Sequence, residues 1–225
     1  MPAGPGEYDV AVALRRLCEV VSGELDLLAV SVILLSGPGT ETPVAYSADG
    51  HQPLDHLHLD LGEGPVLDAF ESGRPVLESD LTSALGRWPG FAQSAAHAGV
   101  RATFAFPLSI GAVRLGVLVL YSGPVRTLKR EERSDCLIYA DLATELLLDA
   151  ARAGSGDGLA PGLESLLDLR TEVYQAQGMV MADLGIDLAE ALSRLRATAF
   201  AESRSLNDLA ADVVSRRRRI SRDAP

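Results

Sequence analysis

The residues of this chain best equipped for chemistry are its arginines. Lys129 is the single lysine among 20 basic residues, and Arg216, Arg217, Arg218 and Arg219 stand in one unbroken run near the C-terminus. Arginine carries a planar, permanently charged fork that pairs with phosphate oxygens and stacks on exposed bases. With Arg194, Arg196 and Arg204 upstream, the run is a candidate nucleic-acid face. Two plainer readings stand beside it. A cationic run at a helix C-terminus is also a solvated cap on the carbonyl end, and Arg196 equally suits an ion pair with a carboxylate of its own domain. The formal net charge of −11 does not exclude a phosphate-bearing partner, because it is unevenly divided. Residues 162–225 carry 9 Arg and 10 Asp or Glu, net −1, which leaves 11 basic and 21 acidic residues, net −10, for residues 1–161.

Other reactive residues form no catalytic set. Ser31, Ser47 and Asp49 make no nucleophile elbow, and the turn Gly62-Glu63-Gly64 lacks the rest of a phosphate-binding loop. Glu63 and Asp80 are expected to cap or close turns. His56 and His58, two apart in an expected strand, point to one side, but no third ligand accompanies them. With His51 nearby they are expected to be exposed polar residues, and no metal site is expected. Cys18 and Cys136 lie far apart in helical patterns and read as buried thiols in a reducing compartment. The aromatic residues Trp88, Phe91, Phe104 and Phe106 are candidates for the lining of a small-molecule pocket, with core packing the commoner role for each.

The elements that must position these residues fall into two groups. At 47% hydrophobic and 23% charged residues the chain has the composition of a packed globular protein. The N-terminus has no secretory signal pattern, and no apolar run reaches the roughly 18 residues needed to cross a bilayer, so a cytoplasmic location is expected. Four glycines and a proline in residues 153–162 mark a linker between domains at 8–152 and 163–219. In the first, an amphipathic helix over Tyr8 to Ser22 precedes a buried strand at residues 28–35. A second strand follows, then a polar stretch with alternating apolar residues, a short helix between Gly64 and Gly73, and a brief strand at residues 74–81. Two long strands form a hairpin across Gly111, and a helix from Leu128 to Arg152 carries a stripe of Leu137, Ala140, Thr144, Leu147 and Ala151. This order is that of an α+β domain with a mostly antiparallel sheet flanked by helices.

After the linker the pattern is all helical. The first helix, residues 163–184, ends at Gly185 in a left-handed cap. Asp187 with Glu190 opens a second, whose inner face is Leu188, Leu192, Leu195 and Ala199, and Ser205 with Asp208 opens a third, carrying Leu206, Leu209, Ala210 and Val213. Three short helices make a small bundle that gains from a dimer partner.

Residues 59–81, LDLGEGPVLDAFESGRPVLESDL, and residues 98–122, AGVRATFAFPLSIGAVRLGVLVLYS, resemble the middle and end of GAF domains. The resemblance covers residues 8–152 and implies a sensory module with a ligand pocket over one sheet face. Neither cysteine matches a bilin attachment position and no histidine stands out as a haem ligand, so no cofactor is expected. Residues 174–214 resemble an ANTAR domain through Gln175-Ala176, Gly178, Met181-Ala182, Glu190-Ala191, Leu195-Arg196 with Ala199, and Leu206 with Leu209-Ala210. That resemblance implies a three-helix domain that binds paired RNA stem-loops in nascent transcripts and prevents a terminator from forming, in a bacterial two-domain regulator. The RNA-binding residues it suggests are Gln177, Arg194, Arg196, Arg204 and Arg216 to Arg219, although Gln177 and Asp183 stand where basic residues are usual. The implied partners are RNA stem-loops, a second copy of the chain, and a small-molecule or protein signal at the GAF domain. The alternative is a dimerisation or protein-interaction module without RNA binding. A DNA-binding helix-turn-helix is disfavoured because the connection from Ala199 to Ser205 is longer than its tight turn.

Overall fold

A computed structural model describes residues 10–35, 41–47, 52–153, 171–202 and 204–221. Its N-terminal part is a three-layer α/sheet/α arrangement. The first helix, α1 (Val10–Leu25), buries Val10, Leu14, Leu17, Cys18, Val21 and Leu25 at helical spacing. Five antiparallel strands follow in the spatial order β2-β1-β5-β4-β3: β1 (Ala29–Leu35), β2 (Glu41–Tyr46), β3 (Val76–Glu78), β4 (Ala102–Ile110) and β5 (Val113–Ser122). Side chains alternate across the sheet. Val30, Val32, Phe104, Phe106, Leu118 and Leu120 pack against α1 and the long helix α5 (Arg130–Ala153). Ala29, Ile33, Ala105, Val117, Val119 and Tyr121 face the layer formed by α2 (Gln52–Leu61), α3 (Pro65–Ser72) and α4 (Pro89–His97). Because both faces are covered, the central strands read as continuous apolar runs. Gly116 sits where β5 crosses closest to β1: a Cβ there would lie 2.2 Å from the Ile33 carbonyl oxygen.

Three expectations change. The stretch at residues 52–61 is a helix, so His56 and His58 do not share a strand face. Leu57, Leu59 and Leu61 mimic strand alternation, but Leu54, Leu57 and Leu61 lie on one helical face over the sheet while Leu59 turns away from it. Pro89 in the first turn opens a further helix, α4. On α5 the inward stripe is Cys136, Ala140, Ala143, Thr144, Leu147 and Ala150, so Leu137 and Ala151 point outward. Both cysteines are buried, and burial pushes the Cys136 thiol up to about 12, leaving it a small apolar group.

The C-terminal part is a bundle of α6 (Thr171–Leu184), α7 (Leu188–Ala201) and α8 (Leu206–Val214). Its core contains Val173, Ala176, Val180, Leu184, Leu192, Leu195, Ala199, Leu206, Leu209, Ala210 and Val213. Leu188, at the first position of α7, is 49% exposed and so does not join the inner face expected of it. Residues 154–162 of the expected linker and 163–170 of the expected first helix lie outside the described residues. Among the described residues no helix is long and apolar enough to cross a membrane.

Candidate nucleic-acid interface

The bundle places its arginines by well-formed helix ends. The Asp187 carboxylate accepts the Glu190 N–H at 2.8 Å, and Ser205 Oγ accepts the Asp208 N–H at 3.1 Å, which fixes the starts of α7 and α8. Gly185, left-handed at φ 67, ends α6. Gln177 is buried and donates from Nε2 to the Leu188 carbonyl at 2.7 Å. Its amide thus stitches α6 to the first turn of α7 rather than facing solvent.

At the end of α8 the chain turns in a Schellman motif: Arg216 N–H donates to Val213 O at 3.0 Å and Arg217 N–H to Asp212 O at 2.8 Å. The left-handed position, where glycine is usual, is held by Arg216 at φ 58. Ile220 then returns to the bundle core, so the arginine run is pinned at both ends. Around it, Asp212 accepts from Arg204 Nη2 at 2.6 Å and Arg217 Nε at 2.8 Å, while Glu202 accepts from Arg218 Nη2 at 2.5 Å. Arg204, and then Arg217, hold the Asp212 carboxyl below the usual carboxylate range. These two carboxylates orient Arg204, Arg217 and Arg218, whereas Arg216 and Arg219 add exposed charge to the same turn. Arg194 stands apart on α7, paired with Glu190 at 3.0 Å one turn back.

Arg196 points elsewhere. Its Nε donates to the Leu59 carbonyl of α2 at 2.8 Å, across the domain boundary. Next to it the Asp60 carboxylate accepts the Leu206 N–H, the first of α8, at 3.1 Å. Leu59 is fully buried and belongs to the bundle's core cluster. Arg196 thus makes a structural contact here, with a carbonyl of the other domain among its partners.

On the other side of α2, His58 is buried in the N-terminal domain. Its ring stacks on Phe91 with centroids 4.4 Å apart, and its Nε2 lies 3.2 Å from Tyr121 Oη. Trp88 meets Phe91 edge-on at 6.4 Å. Removal from water depresses the His58 pKa to about 3. The expected four-residue aromatic pocket does not form, since Trp88 and Phe91 lie in the α2–α4 layer and Phe104 and Phe106 on the opposite sheet face. Adjacent strand residues alternate, but residues 104 and 106 share a side, and that side faces α1 and α5.

The GAF-domain family model matches residues 7–135, more than half of the sequence. The chain belongs to the GAF-domain family. An ANTAR-domain model matches residues 162–214, directly after it. The GAF domain of a phosphoenolpyruvate-protein phosphotransferase from Coxiella burnetii is similar at 18% identity and TM-score 0.55, covering 67% of this chain and 89% of that one. The GAF region of a putative membrane protein from Geobacter sulfurreducens PCA aligns at 17% identity and TM-score 0.54, covering 63% and 94%. A domain of a putative sensor histidine kinase from Sinorhizobium meliloti 1021 aligns at 15% and 0.52, covering 65% and 93%. At these identities the likeness shows the fold alone. No curated protein matches the chain in sequence.

GAF and ANTAR domains are sensory and regulatory modules, and Glu63 and Asp80 of the GAF domain have structural work. Glu63 Oε1 accepts the Phe91 N–H at 2.8 Å at the start of α4, and Asp80 Oδ1 accepts the Thr82 N–H at 3.0 Å to close a turn. Sequence reasoning took His58 for an exposed polar residue, whereas it is fully buried, and it missed Asp60 and Phe200. Phe200 is 69% exposed, one helical turn beyond Arg196 on α7 and four residues before Arg204. A helical register for residues 52–61 would have placed His58 with the inward-facing Leu54 and Leu61. Nothing in the sequence signals that Asp60 reaches the other domain.

Proposed function

We propose that this protein is a transcription regulator of the antitermination type, whose ANTAR bundle binds paired RNA stem-loops under control of the GAF domain. Nascent transcripts are the target, which places the protein in the cytoplasm. The observation that carries this reading is the pinned arginine cluster, in which Arg204, Arg217 and Arg218 pair with two carboxylates and Arg216 and Arg219 add exposed charge to the same turn. A left-handed non-glycine residue costs about 1–2 kcal/mol, so Arg216 occupies a position that favours glycine by stability alone. A phosphate-binding role accounts for an arginine there. Phosphates bind the planar forks, and the exposed Phe200 ring offers an unpaired loop base a surface for stacking. Arg194, held by Glu190 on α7, is a further candidate contact, whereas Gln177 supports the fold of the site from inside.

The regulator acts as a homodimer, which presents two such faces to two stem-loops. Its pairing surface is the exposed apolar strip of Leu137, Ile138 and Leu142 on α5. The signal enters at the GAF domain as a small molecule or a protein contact.

The test is retention of a synthetic RNA with two tandem stem-loops over a salt series. Replacing Arg216 to Arg219 by alanine is expected to lower retention at least tenfold and to flatten the salt dependence, by about one unit of slope for each phosphate that is no longer neutralised. Arg216→Gly separates function from folding, because it relieves the left-handed strain and leaves stability equal or higher while RNA binding falls. Salt-insensitive or absent retention in wild type, with dimerisation intact, leaves the interaction-module reading in place.

A further inference from the structure

The two domains meet through reciprocal helix caps. The last carbonyls of α2 have no partner within their own helix, and a cation is favoured at that end. Arg196 of the ANTAR domain supplies it, donating to Leu59 O at 2.8 Å. The first amide groups of α8 have the opposite need, an acceptor and preferably an anion. Asp60 of the GAF domain supplies that, accepting Leu206 N–H at 3.1 Å. Between the two caps the Leu59 side chain is inserted into the ANTAR core with no exposed surface. Gly62 closes the fit. It ends α2 in a left-handed conformation, φ 68, and a Cβ on it would lie 2.7 Å from Arg196 Nη1.

From this geometry we infer that residues 59–62 of the GAF domain are an autoinhibitory latch that occupies ANTAR groups needed by RNA. The inference rests on the RNA-binding reading and adds the way in which the site is closed. A carboxylate and a backbone carbonyl offer the α8 terminus and Arg196 the same chemistry as phosphate oxygens. The acidic N-terminal part, net −10 over residues 1–161, is the part that presents them. RNA and the GAF domain therefore compete for Arg196, and the free energy of docking is subtracted from that of RNA binding. The arginine cluster beyond α8 lies outside these contacts, so the closed protein retains a weak phosphate-binding surface and gains full affinity on release.

The experiment uses the full chain, wild type and Asp60→Ala, with two readouts: hydrogen exchange at the α8 amino terminus, and retention of the tandem stem-loop RNA. Asp60→Ala removes the charged hydrogen bond to Leu206 N–H, and the expected result is faster exchange at Leu206 with about tenfold tighter RNA retention. Gly62→Ala, which pushes a methyl group against the Arg196 guanidinium without altering the ANTAR domain, is expected to act in the same direction. Arg196→Ala accelerates exchange as well but does not tighten RNA binding, because it also deletes a phosphate partner. Unchanged exchange in both GAF variants overturns the latch. Faster exchange with RNA affinity equal to wild type overturns its inhibitory role and leaves the RNA-binding reading standing. If neither wild type nor the undocked variants retain RNA at any salt, the inhibition and the function it regulates both fall.

Discussion

His58 gives the GAF domain a pH-dependent stability that can be worked out from its surroundings. The ring is fully buried against Phe91 and Tyr121, and loss of hydration brings its pKa from 6.5 to about 3. In the unfolded chain the same imidazole takes up a proton near its ordinary value. A base whose folded pKa is depressed binds protons preferentially in the unfolded state. Its neutral form therefore contributes fully to stability above about pH 6.5, and that contribution declines as pH falls toward 3, by up to about 1.4 kcal/mol per unit. Between about pH 7.5 and about pH 5 the loss sums to about 2 kcal/mol. The carboxyls held low by hydrogen bonds, those of Asp80, Glu132 and Asp212, are shifted in the same direction but from a lower starting value. Their contributions fade only as pH falls through and below the ordinary carboxylate range, so they leave this window almost untouched.

Urea unfolding followed by the fluorescence of Trp88, the single tryptophan and a neighbour of Phe91, reports on this layer. Wild type is expected to lose about 2 kcal/mol over the window. His58→Phe keeps a flat ring beside Phe91 but has nothing to titrate, so its stability is expected to be nearly level from about pH 7.5 to about pH 5, whatever its absolute value. An equally steep decline in the variant, or a flat profile in wild type, refutes the argument that burial of neutral His58 sets the slope.

Two further outcomes test the frame of the molecule. Gly116→Ala is expected to destabilise the GAF domain by about 3 kcal/mol in the same urea assay, because the new methyl group meets backbone of β1, 2.2 Å from Ile33 O, and backbone cannot rotate away. Ile138→Glu with Leu142→Glu is expected to give a monomer by sedimentation with unchanged unfolding, since these side chains are 62% and 47% exposed within one chain; a persistent dimer places the pairing surface elsewhere.

Elements with a local signal were legible in the sequence. The caps Asp187 and Ser205 were readable because a helix start needs an acceptor three residues before a free N–H, and both pairs are present as expected. The hairpin across Gly111 and the runs on β1 and β5 followed from apolar density. Where a pattern admitted two periods, it misled. In LDHLHLDL, alternating leucines resembled a strand, and only tertiary packing of Leu54 and Leu61 on one side and Leu59 on the other decides for a helix. The arginine run was visible as charge, but its Schellman turn and its carboxylate partners depend on Glu202 lying beside Arg218, sixteen residues away along the chain. The sequence positions of Trp88, Phe91, Phe104 and Phe106 carried no information about which sheet layer each would join.

The last turn of α2 joins the two domains directly. Successive residues of a helix project about 100° apart, so His58 enters the GAF layer while Leu59 and Asp60 reach the ANTAR bundle. A helix moves as a unit over one turn, and a shift that displaces the His58 ring also displaces the Asp60 carboxylate and the Leu59 carbonyl. Under the latch proposal, a signal received in the GAF layer would act on docking through one short element, without a rigid relay through the Gly-rich connection. The energetic requirement on a signal is modest. Inverting a closed-to-open ratio of about ten to one takes about a hundredfold preference for the open state, or about 2.7 kcal/mol. That is within reach of a ligand making a few polar contacts in the α2–α4 layer, provided it makes them in only one of the two arrangements.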